Sequence, residues 1–326
     1  MSEPSFDLSF QRWLEAQGYR VLQSPSASWY EIAPRVLQAF PYHGIVRIEP
    51  AERDALLRDH RCLALRYSTP LDASQGQLSY HVVVDRHDFG LPRLAKTQRA
   101  ATVKALQQFA VARITFDELR TDGWAMREKT LVRQQRFGIE TRSWWDELCR
   151  AAEAAGFEAW GARCDGALTA SLLAHVAGGC ASIVLQQSDT DFLSRGTNNA
   201  LVYEFCRDVF ARPHVTRVFY GLHSLDAPPS VDAFKFRLGF SALPVRQVVD
   251  FHPLVRPGLG DLSLRAAAAA RRVRPNDSRI SKLEGLLRFY VNGRKPLEQQ
   301  ERPGVLDGAD LAGAPRAEAG AWRRSA

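Results

Sequence analysis

Apolar residues recur with two different periods along this chain, and each change of period predicts a change between strand and helix. Residues 156–249 show the pattern most clearly. They predict a hairpin, a strand, a helix, a strand, a helix and a strand, at residues 156–179, 180–189, 198–212, 215–222, 230–239 and 240–249. Asp165-Gly166 suits the turn of the hairpin, and Gly239 can end the second helix. This succession predicts an α/β (α+β) domain whose mixed sheet is flanked by helices.

The flanking segments predict further elements around this domain. Helical spacing appears at residues 6–18, 35–40, 50–60, 120–156, 261–273 and 278–291, and strand-like runs appear at residues 44–48, 61–68 and 77–85. Residues 91–119 predict a long helix that runs into a strand. From Glu301 onwards no hydrophobic period remains, so these last residues are expected to be disordered and to contribute no stability.

Composition places the chain among ordinary globular proteins, with 326 residues of which 45% are apolar and 24% are charged. Glycines and hydroxyl residues interrupt the most apolar run, residues 167–185, so it predicts two buried strands rather than a membrane span. The N-terminus lacks the basic and apolar regions of a secretory signal, and a cytoplasmic location is expected. The five cysteines are scattered without Cys-x-x-Cys spacing, which predicts reduced, buried thiols rather than disulfides or metal ligands.

The net charge of +7 is unevenly distributed along the chain. From Pro257 to the end there are 13 basic and 8 acidic residues, a surplus of five positive charges, which leaves a surplus of only two for the rest. The basic character therefore belongs mostly to the C-terminal segment, and a nucleic-acid-binding patch on the main body is not required by the charge.

The end of the second helix in the central segment resembles a known family. It contains Phe234-Lys235 followed by Leu238-Gly239-Phe240, similar to the F-K-x-x-(F/L/M)-G-(F/Y) block of the Fem-type and related GNAT proteins. The likeness extends to residues 198–201 and to Tyr220-Gly221. It implies a GNAT-like mixed sheet flanked by helices, in two tandem halves of which the second is more complete.

The resemblance also implies a division of the chain. A degenerate N-terminal GNAT-like half would occupy residues 1–115, the C-terminal GNAT-like domain residues 116–255, C-terminal helices residues 256–300 and a disordered tail residues 301–326. Residues 45–114 are expected to hold a second, shorter sheet that resembles the first. Residues 181–187 and 215–221 are expected to be neighbouring parallel strands that splay apart to receive an acyl group.

In a GNAT fold the donor's diphosphate rests on the N-terminus of the helix between those two strands. The corresponding residues here are Arg195, Gly196, Thr197, Asn198 and Asn199. Their spacing departs from the (Q/R)-x-x-G-x-(G/A) turn of acetyl-CoA-dependent members, so acyl-CoA and aminoacyl-tRNA both remain possible donors. A loop followed by an ordinary helix cap is the alternative.

Lys235 is the first candidate for catalysis, because its neighbour Phe234 belongs to the apolar stripe and Lys235 therefore points about 100° away from it. In the Fem-type proteins the matching lysine lies at the reaction cleft, where a cation can stabilise an oxyanion. A surface lysine is the alternative. Replacement of Lys235 by Ala is expected to lower turnover and to leave folding nearly unchanged.

Weaker candidates surround this position. Tyr220 and His223 follow a strand, at the edge where open α/β sheets bind ligands, and either could donate a hydrogen bond or relay a proton. Phe234, Tyr203 and Glu204 are candidates for substrate contacts, although a solvated carboxylate on a helix face is a common alternative for Glu204. No spacing typical of a metal site is present.

The resemblance implies an acyltransferase that moves an acyl or aminoacyl group from an activated donor to an amine. The acceptor would be a small molecule or a precursor of the cell envelope or of a polysaccharide, and tRNA could carry the donor group. A catalytically inactive GNAT-fold binding module is the alternative. The oligomeric state is not indicated by the sequence.

Overall fold

The computed structural model describes residues 8–134, 140–223, 230–274 and 277–307. Within them the strands are β1 (Val21–Gln23), β2 (Ser28–Ala33), β3 (Val36–Phe40), β4 (Ala64–Thr69), β5 (Gln77–Asp85), β6 (Ala110–Arg113), β7 (Glu158–Cys164), β8 (Ala167–Ala177), β9 (Cys180–Ser188), β10 (Arg217–Leu222) and β11 (Ser241–Phe251). The α-helices are α1 (Leu8–Ala16), α2 (Pro50–Arg58), α3 (Lys96–Gln108), α4 (Phe116–Thr121), α5 (Gly123–Arg133), α6 (Arg142–Ala154), α7 (Thr197–Ala211), α8 (Ser230–Arg237), α9 (Asp261–Val273) and α10 (Ser278–Gly293).

All eleven strands belong to one sheet, in the order β1-β2-β3-β4-β11-β5-β10-β9-β8-β7-β6. The order contains an internal repeat. Strands β1 to β3 are antiparallel and β3 continues through α2 into the parallel strand β4, just as β7 to β9 are antiparallel and β9 continues through α7 into the parallel strand β10. The final strands of the two repeats are exchanged, because β11 pairs with β4 and β5 pairs with β10.

The exchange of β5 and β11 corrects one expectation from the sequence. A separate, shorter sheet within residues 45–114 is wrong, since β5 and β11 pair with each other and fuse both repeats into one sheet. Long-range strand pairing of this kind leaves no mark on local hydrophobic spacing. The order of elements predicted for residues 156–249 is confirmed, with α7 and α8 lying between the last three strands.

The hairpin turns follow the predicted chemistry. Asp165 and Gly166 have φ values of 51° and 81°, and Gly178 and Gly179 have values of 56° and 80°. These left-handed conformations are those of a type I′ turn, which matches the twist of the strands that it joins. The predicted turns therefore set the register between β7 and β8 and between β8 and β9.

Residues 35–40 form a strand rather than the predicted helix. Arg35, with φ of 63°, turns the chain between β2 and β3, and β3 then pairs antiparallel with β2 and parallel with β4. Leu37, Ala39 and Phe40 are all buried. A short apolar run has no period that separates a buried strand from a helix, so sheet pairing decides its conformation.

The sheet separates two hydrophobic layers near its centre. On one face α3 and α7 cover residues that include Val82, Val218 and Ala181. On the other face Phe219 packs with Val83 and Cys180. Successive residues of β10 therefore point to opposite faces of the sheet, as in any strand.

Strands β9 and β10 are parallel neighbours, as predicted, but they pair only over a short distance. The paired positions are Arg217 with Cys180, Val218 with Ala181 and Phe219 with Ser182. Beyond them β9 continues along β8 as far as Ser188, while β10 continues along β5. The two strands therefore diverge and leave a gap in the middle of the sheet.

The segment from Glu301 is not wholly peripheral. Leu306 is 1% exposed and belongs to the core on the α7 face. Gln300, the residue directly before this segment, has a buried side chain. It accepts a hydrogen bond from the backbone of Leu78 at 2.6 Å and donates one to the carbonyl of Gly76 at 3.1 Å. The expectation that the chain is disordered from Glu301 onwards is wrong at Leu306, because one apolar anchor needs no periodic pattern. Residues 308–326 lie outside the described residues.

None of the helices in the described residues is long and apolar enough to cross a membrane.

Candidate functional site

A cavity of about 830 Å³ opens beside the gap between β9 and β10, on the face covered by α3 and α7. Five basic side chains line it, namely Lys104, Arg133, Arg195, Lys235 and Arg237. No described carboxylate is among the lining residues. A cavity of this size suits a ligand as large as a nucleotide-type cofactor or the end of a polymer, and its charge favours an anionic one.

The first turn of α7 forms one wall of this cavity. Gly196 caps the helix with φ of 87°, and a Cβ atom there would lie 3.1 Å from Cβ of Ala105. The left-handed backbone therefore favours glycine at this position, and a side chain there would also crowd α3. Asn198 and Asn199 also line the cavity. Oδ1 of Asn198 is buried, and no described atom donates a hydrogen bond to it.

The predicted donor-binding residues at this turn do not all face the cavity. Arg195 does, and its guanidinium lies 5.6 Å from the ring centre of Phe109 and 5.3 Å from that of Phe192. Thr197 instead is fully buried, and its hydroxyl lies 2.8 Å from that of Thr169. The structure thus brings Arg195, Gly196, Asn198 and Asn199 together and leaves Thr197 in the interior as a packing residue.

Lys235 lies at the gap and is held there by an ion pair. Its Nζ donates to Oδ1 of Asp232 at 2.8 Å, and the two side chains are 14% and 9% exposed. Nζ also lies 4.9 Å from the centre of the Tyr220 ring, which is within range of a cation–π interaction. Sequence reasoning missed Asp232, although a carboxylate three residues before a lysine on a helix is the spacing of such a pair.

Two phenols extend this ion pair into a network. Tyr80 donates its hydroxyl to Oδ2 of Asp232 at 2.8 Å, and Tyr220 donates its hydroxyl to Oε1 of Gln186 on the opposite side of the gap. Burial raises the pKa of both phenols, and the bond to Asp232 adds to the rise for Tyr80. Both hydroxyls are therefore protonated donors at neutral pH. Phe234 is partly buried and lines the same cavity.

A second cavity, of about 450 Å³, lies on the other side of the gap. Its lining includes Tyr30, Tyr42 and Phe219 together with the basic residues Arg66 and Lys282. Phe219 belongs to the opposite face of the sheet from Val218. Tyr220 lines both cavities, so its ring stands at the connection between the two faces.

His223 belongs to the second cavity rather than to the first. Its ring stacks on Tyr80 with 4.5 Å between centres, and its Nδ1 lies 3.2 Å from Oγ of Ser79. Burial lowers its pKa, so the ring is neutral at neutral pH. His223 therefore contacts the Asp232–Lys235 network through Tyr80.

Tyr203 and Glu204 lie away from both cavities. The ring of Tyr203 packs 5.0 Å from that of Phe89, and Glu204 forms an ion pair with Arg207. Burial raises the pKa of both groups. Tyr203 shares a helix face with Asn199, but it lies one turn further along α7, away from the end that lines the cavity. These two candidates are therefore not brought to the site.

Among the described residues, no group of three or more His, Cys, Asp or Glu side chains is arranged to hold a metal ion. Burial raises the pKa of the Cys149 and Cys180 thiols to about 12. These two thiols are therefore protonated at neutral pH and unsuited to act as nucleophiles. The chemistry of the gap rests on amides, phenols and cations.

No protein-family model and no curated protein matches the sequence. Solved structures do match the fold. The crystal structure of FemX superposes with a TM-score of 0.56 at 12% identity, covering 76% of this chain and 92% of FemX. The C-terminal domain of a candidate lysylphosphatidylglycerol synthetase from Agrobacterium fabrum gives 0.51 at 15% identity, covering 74% and 87%.

A conserved protein of unknown function from Bacteroides thetaiotaomicron gives a TM-score of 0.50 at 11% identity, covering 76% of this chain and 91% of that protein. At such low identities the similarity concerns the fold alone. It agrees with the mixed sheet, its flanking helices and the repeated succession of strands described above. This chain therefore has a GNAT-like fold, which it shares with FemX.

Proposed function

We propose that this protein transfers an acyl or aminoacyl group from an activated donor to an amine. The observation that carries the proposal is the position of Lys235, held by Asp232 where β9 and β10 diverge, beside a tyrosine that lines cavities on both faces of the sheet. Two substrates that approach from opposite faces would meet at this gap. The fold shared with FemX supports this proposal.

The donor occupies the larger, basic cavity. Its five basic residues and the first turn of α7 suit a donor that carries several negative charges, such as the phosphates of an acyl-CoA or of an aminoacyl-tRNA. Both donors present an activated carbonyl at the end of a phosphate-rich chain. The acyl carbonyl would point towards Tyr220 and Lys235, at the end of the cavity nearest the gap.

The acceptor amine enters through the second cavity. Its aromatic lining, together with Arg66 and Lys282, suits an acceptor with an apolar portion and an anionic group. An envelope or polysaccharide precursor and a smaller amine both meet this description. We place the reaction in the cytoplasm, where both kinds of donor are made.

In the reaction the amine nitrogen forms a bond to the acyl carbon, and the bond from that carbon to the donor's sulfur or oxygen breaks. The Lys235 ammonium and the Tyr220 hydroxyl stabilise the oxyanion that develops in between. The neutral ring of His223 takes up the proton released by the amine, on the acceptor face. The leaving group departs as a thiolate or an alkoxide and is protonated from solvent in the open basic cavity.

Ligand screening by thermal shift tests the donor assignment, with acetyl-CoA, longer acyl-CoAs and free CoA as probes, because a specific ligand raises the melting temperature by mass action. A gel-shift titration with aminoacyl-tRNA tests the other donor. The variant Lys104→Gln/Arg237→Gln is expected to weaken binding of the correct donor by roughly tenfold or more. Arg12→Gln/Lys96→Gln removes the same charge from exposed residues outside the cavity and serves as the matched control.

Transfer is then measured by mass spectrometry of a panel of amines incubated with the donor that binds. Acylation of one amine, lost in Lys235→Ala, is the expected result. Donor binding by the wild type and by Lys235→Ala, without transfer to any amine, would instead identify the chain as a binding module of this fold. That alternative draws support from Lys235 itself, whose ammonium is already engaged by Asp232.

A further inference from the structure

Helix α9 presents an apolar stripe to solvent. Its inner face, with Leu264 and Ala267, packs against the hydrophobic cluster that α10 and β11 form. The outer face carries a second set of apolar residues at spacings i, i+4, i+7 and i+11, namely Leu262, Ala266, Ala269 and Val273. All four are exposed. These spacings place them along one side of the helix, away from the packed face.

The exposure of this stripe is unusual for the molecule. Leu254, Leu262 and Val273 are 85%, 84% and 80% exposed, whereas Val132, the next most exposed large apolar residue that the structure describes, is 58% exposed. The three most exposed side chains of this class thus fall within twenty residues of one another along the chain. A helix that only covers a core has one apolar stripe, so the second one requires a partner of its own.

Positive charge borders the stripe. Arg265 and Arg272 lie beside it on the exposed face, and Arg274 follows directly after the helix. Arg271 turns towards α10, where it donates to Glu284 at 2.9 Å. The only acidic residue within α9 is Asp261, at its N-terminus.

We infer that the outer face of α9 docks on the surface of an anionic lipid bilayer, with the helix lying in the plane of the interface. Aliphatic side chains at the centre of the face and arginines along its edge are the arrangement that such helices use. The stripe would enter the boundary between headgroups and acyl chains, while Arg265 and Arg272 would contact lipid phosphates.

Two other occupants fit the observations less well. A second copy of the chain, packed through the same face, would bring the arginines of both copies together with Asp261 as the only acidic residue of each α9 to pair with them. The phosphates of a nucleic acid could pair with the arginines, but a nucleic acid would not bury the apolar stripe. The side chains of the stripe are aliphatic, and α9 has no aromatic ring on which a base could stack. Charge complementarity and apolar burial are both met only by the bilayer.

The outer face of α9 is small, and its size limits the strength of lipid binding. A helix of 13 residues is about 20 Å long, and two large apolar residues with two alanines provide a modest apolar area. Docking is therefore expected to be reversible, to need anionic lipid and to weaken with salt. The docking proposal concerns α9 alone and does not depend on the proposed acyl transfer.

The test is sedimentation of the full chain with vesicles of phosphatidylcholine, or of phosphatidylcholine mixed with phosphatidylglycerol. The wild-type chain is expected to bind the anionic vesicles at least about tenfold more strongly. Leu262→Gln/Val273→Gln should reduce this binding by roughly tenfold or more, because the stripe is lost. Arg265→Gln/Arg272→Gln should reduce it by about thirtyfold at low salt. These side chains are exposed, so circular dichroism should show each variant folded.

Two matched variants control for non-specific effects. Val132→Gln removes an exposed apolar residue from α5, and Arg12→Gln/Lys96→Gln removes two exposed charges elsewhere. Neither should change vesicle binding. Absence of binding to anionic vesicles, equal binding to both kinds of vesicle, or equal losses in the control variants would overturn the proposal. So would a lipid-independent dimer, seen by sedimentation, that Leu262→Gln/Val273→Gln dissociates, or binding of tRNA through Arg265 and Arg272 without vesicle binding.

Discussion

Asp232 and Lys235 form an ion pair that is largely removed from solvent, with 2.8 Å between Oδ1 and Nζ. Loss of one charge leaves the other buried without compensation, which is costly, whereas loss of both is often tolerated. The sequence predicts that Lys235 lies outside the core and that its removal leaves folding nearly unchanged. The buried pair leads us to expect a cost instead.

We therefore predict that Lys235→Met lowers the free energy of unfolding by roughly 2–4 kcal/mol. The double variant Asp232→Asn/Lys235→Met should recover most of this loss, because the asparagine can still accept the hydrogen bond from Tyr80. Urea unfolding of the wild type, both single variants and the double variant gives the coupling energy. An unchanged stability of Lys235→Met would show that the pair is not formed in solution.

The hydroxyl of Tyr220 is predicted to matter more for activity than for folding. Tyr220→Phe removes the bond to Gln186 across the gap, which should cost about 1 kcal/mol of stability. If the hydroxyl contacts the developing oxyanion, kcat should fall by roughly tenfold to a thousandfold with the donor and acceptor that the screens identify. Tyr203→Phe changes a tyrosine outside both cavities and is the control. Equal kcat values for the two variants would remove Tyr220 from the mechanism.

The second half of the fold could be predicted from sequence because its signals are local. Asp165-Gly166 and Gly178-Gly179 define two turns, and the change of period near Asn198 marks α7. The exchange of β5 and β11 could not be predicted, since it depends on pairing between residues far apart in the chain. Hydrophobic spacing shows which face of an element is buried, and not which neighbour covers it.

The candidate site could likewise be predicted only where its residues follow from local sequence signals. Lys235, Tyr220 and Asn199 meet at one cavity, and this follows from the order of elements together with the resemblance of the Phe234-Lys235 block. Asp232 was missed because an acidic residue on a short helix is usually solvated. Its role depends on Tyr80, which reaches it from β5, a strand of the other repeat.

Truncation of the C-terminal segment tests whether Leu306 stabilises the fold. A chain that ends at Gln300 loses Leu306, which is buried in the core beneath α7, and is expected to lose roughly 2–5 kcal/mol of stability. A chain that ends at Asp307 keeps this anchor and is the matched control. Thermal and urea unfolding of the two truncated chains should therefore differ, and Leu306→Ala in the full chain should resemble the shorter one. If both truncated chains are as stable as the full chain, Leu306 does not anchor the segment.

His43 is predicted to make the fold sensitive to acid. Its Nδ1 lies 3.0 Å from Oγ of Ser182, and its ring packs 6.0 Å from that of Phe219. Burial lowers the pKa of His43 from 6.5 to about 4, and electrostatic interactions with His175 and Arg217 contribute. Between these two values the unfolded chain binds a proton that the folded chain does not. Stability is therefore fully present above pH 6.5 and is lost as the pH falls towards 4.

This share of the stability has an upper bound of about 3 kcal/mol, the free energy equivalent to the shift. Urea unfolding at about pH 7.5 and about pH 5 should show the loss in the wild type. His43→Asn keeps a polar group near the position of Nδ1 but cannot titrate, so its stability should change less between the two pH values. His81, whose pKa burial lowers to about 3, keeps its own share in both proteins. The matched control is His214→Asn, which replaces a histidine with an exposed side chain. If His43→Asn and the wild type lose equal stability on acidification, His43 is not the group that destabilises the fold.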